Sequence, residues 1–256
     1  MSSVLVVDIG NTSTSVALAR NGRITRSFHQ PSKWQHGTVE AAIRKAIGPH
    51  KVDGSVLCSV VPKHNKIWLS KLDKLAGGKT ILVSHKLRLG VKISYPKPSA
   101  IGADRLANAC GASARYGCPV IVADFGTALT FDVVTGDNAY IGGVITPGLP
   151  FMTDYLHEKT ALLPHIELKG SFGKVGKSTV EAMTIGASVG YRGMVREITH
   201  YIQTGLKMKN VRLCATGGFA GWALKGLDMP FKIDKDLTLF GLSRIFDLNA
   251  QEKKKR

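Results

Sequence analysis

The chain has 256 residues, 44% of them apolar and 21% charged, and its 35 lysines and arginines outnumber 18 acidic residues for a net charge of +17. That is enough chain for one large domain or two of roughly 100 to 150 residues, with enough apolar residues for a real core. No run approaches the roughly 18 to 20 apolar residues of a membrane span, and no basic stretch leads into an apolar one at the N-terminus, so neither a signal peptide nor a membrane anchor is expected. Cys58, Cys110, Cys118 and Cys214 form no metal-like pairs and read as reduced core thiols of a cytoplasmic protein. The eight histidines show no metal-binding spacing. A basic surface attracts nucleotides, acidic partners and nucleic acid alike, and the densest cluster, Lys253-Lys254-Lys255-Arg256, reads as a solvated end because no nucleic-acid module accompanies it.

The first element is the apolar run Val4-Leu5-Val6-Val7, which leads into Asp8-Ile9-Gly10-Asn11-Thr12 and then a β-rich stretch, 13–18. The pattern recurs as Val120-Ile121-Val122-Ala123 before Asp124-Phe125-Gly126-Thr127-Ala128, with 129–134 following. In each copy a buried strand carries a carboxylate to its end, glycine lets the chain turn, and backbone N–H groups are left to face a ligand. Two such tips facing each other suit a polyphosphate and its metal. Two plain hairpins whose aspartates cap turns are the other reading of the same residues.

After the first hairpin, Asn21-Gly22 signals a turn and 24–28 a third strand. Residues 38–47 have helical spacing and stop at Gly48-Pro49; 55–61 read as a buried strand ended by Pro62. A helix over 67–75, closed by Gly77-Gly78, and a strand over 80–84 follow, an alternation that argues for layered α/β structure. Residues 91–95 suggest another strand, and Pro96-Lys97-Pro98 an extended passage. Ile101-Gly102-Ala103-Asp104-Arg105 then opens a helix running to about Tyr116. Asp104 lies in its first turn, where the helix dipole favours an ionised carboxylate; it is either a positioned functional group or a plain helix-stabilising aspartate.

In the second half, Gly142-Gly143-Val144-Ile145-Thr146-Pro147-Gly148 reads as a strand whose glycine ends let a backbone or ligand approach, or as turn punctuation. A helix over 151–162 and a short return over 163–168 precede Gly170-Ser171-Phe172-Gly173-Lys174-Val175-Gly176-Lys177-Ser178-Thr179. That stretch ends like a P-loop, but the first required glycine falls at Ser171, so the loop length is wrong. A long helix over 179–204 carries small residues at Ala182, Gly186, Ala187, Gly190 and Gly193. A strand over 211–215 runs into Thr216-Gly217-Gly218, a turn bare enough to take a nucleobase or ribose, and a last helix spans about 237–248.

In this order the motifs resemble those of the type III pantothenate kinases, members of the acetate kinase, sugar kinase, actin and heat-shock chaperone ATPase superfamily. Ser59-Val60-Val61-Pro62, Gly102-Ala103-Asp104-Arg105 and Thr160-Ala161-Leu162-Leu163-Pro164 join the two Asp-x-Gly motifs, the 142–148 run and Thr216-Gly217-Gly218 in carrying the resemblance. It implies an α/β fold of two duplicated ribonuclease H-like lobes, 1–115 and 116–256, with ATP in a cleft between them. It also implies a homodimer that phosphorylates pantothenate, the opening step of coenzyme A synthesis. On this resemblance Asp8, Gly10, Asn11, Thr12, Ser13, Thr14 and Ser15 form the first phosphate loop, and Asp124, Gly126 and Thr127 the second. Gly217 and Gly218 border the adenosine. Asp104 is the general base, a proton transfer possible at its ordinary pKa. Tyr95, Gly102, Ala103, Arg105 and Thr179 hold pantothenate. Asp8 orients Mg²⁺, and Asp124 binds a monovalent cation, potassium or ammonium. The chain departs from the family pattern at Ala17, where a glycine is usual, and at Pro96-Lys97, where the family tends to have a residue followed by asparagine. The alternative is a regulatory or transcriptional accessory protein, for which the charge speaks and the aspartates do not; no specific nucleic acid or membrane partner is expected.

Overall fold

The computed structural model describes residues 3–32, 36–76, 78, 80–168 and 173–250. Gly77, the front of the P-loop-like stretch at Gly170-Ser171-Phe172, and the basic cluster 253–256 lie outside them. The chain divides into two compact units, one of 1–118, 134–142 and 236–256, the other of 119–133 and 143–235. The helices are α1 (His36–Ile47), α2 (Pro62–Leu75), α3 (Ala103–Tyr116), α4 (Leu149–Lys159), α5 (Thr179–Gly205), α6 (Ala220–Leu224) and α7 (Leu237–Ala250). Among the described residues, no helix is long and apolar enough to cross a membrane.

In the first unit, β1 (Ser3–Ile9), β2 (Ser13–Arg20), β3 (Arg23–Pro31), β4 (Gly54–Ser59) and β5 (Ile81–Leu82) form a sheet of order β3-β2-β1-β4-β5. The first three strands are antiparallel, and β4 and β5 continue parallel to β1. The β2–β3 turn takes φ of 49° at Asn21 and 72° at Gly22, as the sequence anticipates. Side chains alternate across β1: Leu5, Val7 and Ile9 join Val39, Ile43, Ala46, Trp68 and Leu72 of α1 and α2, while Val4 and Val6 join Leu106, Ala107, Cys110, Leu242, Ile245 and Phe246 of α3 and α7. A helix layer therefore covers each face of the sheet. Glu40 of α1 accepts from Lys71 of α2 at 2.9 Å and from Arg44 at 2.8 Å, and these partners, Lys71 foremost, hold its carboxyl down to about 2.

The C-terminal helix α7 packs backbone to backbone on α3. A Cβ at Gly111 would stand 2.7 Å from the Leu237 carbonyl oxygen, and one at Gly241 would collide with that of Ala107. Thr238 Oγ1 donates to the buried Asn108 Oδ1 at 2.7 Å in the same seam. This contact fixes α3, whose first turn carries Asp104.

The second unit is built on β7 (Val120–Phe125), β8 (Ala128–Val134), β9 (Ala139–Pro147), β10 (Arg212–Thr216) and β11 (Phe231–Ile233), in the order β11-β10-β7-β8-β9. Read from β9, this repeats the order of the first sheet: third, second, first, fourth, fifth. β10 runs parallel to β7, as β4 does to β1. The opening of β9 belongs to the first unit, where Ala139 and Tyr140 pair with Lys92 and Ile93 of β6 (Lys92–Ile93). The strand expected over 91–95 is only those two residues long, since Pro96 and Pro98 beyond it have no N–H to give a ladder. Residues 163–168 form no strand, and β11 is one that hydrophobic periodicity does not reveal.

Candidate active site

In the first unit, the β1–β2 connection is Gly10-Asn11-Thr12, closed by the Gly10 N–H donating to the Ser13 carbonyl at 2.9 Å. A Cβ at Gly10 would lie 3.0 Å from that oxygen. Asn11, Thr12 and Ser13 are exposed, Ser15 is half-buried with Oγ 2.7 Å from His29 Nδ1, and Thr14 is buried with its hydroxyl turned to Ser32. Half-buried Asp8 is held on β1 directly opposite Cys58 on β4. The buried Cys58 thiol hydrogen-bonds Asp8. Burial foremost, then the charges of Asp8 and Asp104, push that thiol well above its ordinary range, so it keeps its proton and can donate. Asp8 thus reaches this buried sulfur by a hydrogen bond, and Asp104, distant in sequence, acts on it through its charge.

Asp104 is the second residue of α3, behind the N-cap Gly102. Its Oδ1 accepts from the Arg105 N–H at 2.8 Å. A Cβ at Gly102 would stand 2.6 Å from that same oxygen, so the glycine makes room for the carboxylate. Burial raises the Asp104 carboxyl from its ordinary value, and the Arg105 N–H and guanidinium pull it back only in part. The expectation of an ordinary pKa is overturned here: desolvation of the side chain outweighs the N–H groups of the first turn. Ala103 and Arg105 are half-buried beside it. The Tyr95 ring lies 6.4 Å from that of Tyr140 and against Gly142, whose φ is 116° and whose Cβ would stand 3.1 Å from the ring. The sequence suggests strand ends open to a backbone or a ligand; in the structure Gly142 lies inside β9, and a tyrosine side chain makes the close approach.

In the second unit, Asp124 ends β7 as Asp8 ends β1. Gly126 N–H donates to the Ala128 carbonyl at 3.1 Å, and Gly148 N–H to that of Thr127 at 3.1 Å. A Cβ at Gly148 would collide with the carbonyl oxygens of Gly126 and Thr127. Gly217, with φ of 88°, presses on the other side, and Phe219 N–H donates to the Phe125 carbonyl at 3.2 Å. Tyr191 is buried with its ring 6.4 Å from Phe125; burial, with the Asp124 charge adding, pushes its phenol up. Thr127 and Gly218 are exposed, and so is Thr179, the first residue of α5. Asp8, the 10–15 tip, Tyr95, Gly102, Ala103, Asp104 and Arg105 are thus carried by one unit, and Asp124, Gly126, Thr127, Thr179, Gly217 and Gly218 by the other.

The P-loop-like lysine stretch has a different role. Ser178 is the N-cap of α5: its Oγ accepts from the Glu181 N–H at 3.3 Å, while Glu181 Oε2 accepts from the Lys177 N–H at 2.7 Å. Gly176 packs against the backbone of Glu181 and Ala182. These residues start a helix by reciprocal capping.

Residues 4–201 match the sequence model of the type III pantothenate kinase family. The chain belongs to that family. A type III pantothenate kinase of Akkermansia muciniphila is 41% identical over 251 residues, covering 96% of this chain and 98% of its own. A conserved Baf family protein of Campylobacter jejuni superposes with a TM-score of 0.63 at 18% identity, covering 98% of this chain and all of its own. A ROK family glucokinase of Streptomyces griseus, solved with glucose and AMPPNP, gives 0.54 at 14% identity, with 98% and 100% covered. These likenesses show the fold: two ribonuclease H-like units of the actin and sugar kinase type.

For a pantothenate kinase of this type, sequence reasoning singles out the strand-end aspartates and the glycine turns but passes over two residues that touch the first site. Cys58 reads only as a core thiol, and its pairing to Asp8 depends on β-sheet register. Ser32 follows a strand with no motif of its own. Among the described residues no group of three His, Cys, Asp or Glu side chains could hold a metal unaided. Lone carboxylates at strand ends suit a divalent ion that keeps several waters and takes its remaining ligands from phosphate oxygens.

Proposed function

We propose that the chain transfers the γ-phosphoryl group of ATP to the hydroxyl of pantothenate, giving 4′-phosphopantothenate and ADP, the first step of coenzyme A biosynthesis. The observation that carries this reading is the half-buried Asp104 carboxylate in the first turn of α3, its pKa raised by desolvation, in a chain of the type III pantothenate kinase family. Asp104 accepts the hydroxyl proton as the new O–P bond forms and the bond from phosphorus to the ADP oxygen breaks. A raised pKa strengthens it as a base. In the first unit the 10–13 tip offers backbone N–H groups to phosphate oxygens; in the second, the 126–127 tip offers the same, and Gly217 and Gly218 leave space for the adenosine. Asp8 holds Mg²⁺ directly or through water, and Asp124 a monovalent cation, potassium or ammonium. Bound Mg²⁺ supplies charge neutralisation along the phosphates. Tyr95, Gly102, Ala103 and Arg105 of the first unit are assigned to pantothenate, with Arg105 suited to its carboxylate, and so is Thr179 of the second. A homodimer belongs to the same reading; Phe151 and Tyr155 on α4 and Val180, Val189 and Tyr201 on α5 are exposed apolar side chains available to such a contact.

The test is direct. Purified protein with Mg-ATP, potassium chloride and pantothenate is expected to release ADP only when pantothenate is present, with phosphopantothenate identified by mass spectrometry. Absence of pantothenate-dependent ADP in potassium buffer removes the reading. Light scattering is expected to give twice the 27.5 kDa chain mass.

A further inference from the structure

Ser32 stands just beyond β3, in the bend after the strand, and is only 8% exposed. Three hydrogen bonds tie it to the β1–β2 tip: its N–H donates to the Thr12 carbonyl at 2.9 Å, its Oγ donates to the Gly10 carbonyl at 2.7 Å, and its Oγ lies 2.9 Å from Thr14 Oγ1. The serine hydroxyl has one hydrogen, which goes to Gly10, so Thr14 is the donor in the third bond. The result is a directed chain, Thr14 O–H to Ser32 O–H to the Gly10 carbonyl, beside a backbone bond to Thr12.

The consequence follows from the planarity of the peptide group. In a trans peptide the C=O and the following N–H point in opposite directions. Holding the carbonyls of Gly10 and Thr12 therefore sets the planes of the 10–11 and 12–13 peptides and aims the Asn11 N–H away from Ser32. The tip residues Asn11 and Thr12 are exposed and belong to no strand, so β-ladder bonds alone do not hold these planes.

We infer that Ser32 is a positioning residue for nucleotide binding: it presets the peptide planes of the 10–13 tip so that its amides meet the phosphates without reordering. The inference rests on the assignment of that tip as a phosphate loop. Ser32 touches the loop's carbonyls and a buried threonine, so its effect is expected on nucleotide affinity and not on pantothenate.

The experiment compares Ser32→Ala, Ser32→Thr, Thr14→Val, the Thr14→Val/Ser32→Ala double variant and Gly10→Ala. Binding of Mg-AMPPNP is measured by calorimetry, the pantothenate KM by kinase assay, and folding by thermal melting. Ser32→Ala is expected to weaken AMPPNP about tenfold, the scale of one or two lost hydrogen bonds, with pantothenate KM within about twofold. Ser32→Thr, which keeps the hydroxyl, is expected to recover to within about threefold of the parent, and the double variant to match Ser32→Ala, because both changes break one chain of bonds. If Gly10→Ala weakens AMPPNP while Ser32→Ala does not, the positioning role is wrong and the phosphate loop stands. Equal weakening of AMPPNP and pantothenate by Ser32→Ala, with a lowered melting temperature and no recovery in Ser32→Thr, also overturns it, as a purely structural effect. If neither Gly10→Ala nor Ser32→Ala changes AMPPNP affinity, the phosphate-loop assignment itself fails.

Discussion

Gly217 lies against Asp124 so closely that a side-chain carbon on the glycine would stand 2.6 Å from Oδ1 of the aspartate. The same carbon would meet the backbone nitrogen of Phe125 at 2.6 Å, and φ at Gly217 is 88°, where an L-residue is strained. Gly217→Ala is therefore expected to cost about 1–3 kcal/mol from the backbone conformation and to displace the Asp124 carboxylate. Urea unfolding should report the first effect. The second should appear as a higher ATP KM, and a variant matching the parent in both would show that the turn yields freely.

Asp104→Asn retains an oxygen for the Arg105 N–H but cannot take a proton. Turnover is expected to fall about 100-fold or more, with AMPPNP affinity within about threefold, because a general base acts on the transition state and not on bound nucleotide. Stability should move the other way. A carboxyl whose folded pKa is raised loses stability as pH climbs from its unfolded value through the folded one, so at neutral pH the amide is expected to be at least as stable as the parent. Melting at pH 7 checks this, and a large loss of stability would show that the ionised carboxylate has a partner worth more than its burial.

The acidic limb of kcat/KM should report the same group. With burial raising the Asp104 carboxyl, activity is expected to fall off at a pH above the roughly 3.9 of an unperturbed aspartate, since the base works only when ionised. A profile in buffers spanning pH 4 to 8 measures it. A limb at the unperturbed value would place the essential base in water.

The seam between α3 and α7 gives a stability prediction remote from the chemistry. Gly241→Ala drives a methyl into the Ala107 carbonyl, with no flexible side chain to yield, and about 1–3 kcal/mol of destabilisation is expected in chemical denaturation. Because α3 carries Asp104 in its first turn, kcat should fall as well.

Lys177 and Ser178 separate two readings of one stretch. As part of a helix cap, Ser178→Ala is expected to cost about 1 kcal/mol. Lys177→Ala is expected to leave AMPPNP affinity within about twofold, whereas a phosphate-binding P-loop lysine could not be removed so lightly. Calorimetry on Lys177→Ala decides between them.

Most of the order of strands and helices, the tight tips after Asp8 and Asp124 and the Asn21-Gly22 turn are legible in the amino-acid sequence, because each depends on residues a few positions apart. Alternation along β1 is enough to place one row of side chains toward α1 and α2 and the other toward α3 and α7. What tertiary structure alone decides lies between segments far apart in the chain. Parallel register puts Cys58 beside Asp8, the end of β3 brings Ser32 under the 10–13 tip, and a C-terminal helix returns to the first sheet to brace α3. The pKa of Asp104 belongs to the same class: its helix-start position argues for an ordinary, ionised carboxylate, but the packing around it removes water and raises the value. Local spacing specifies which groups are present and on which element; burial and long-range pairing specify which of them touch and how strongly they hold a proton.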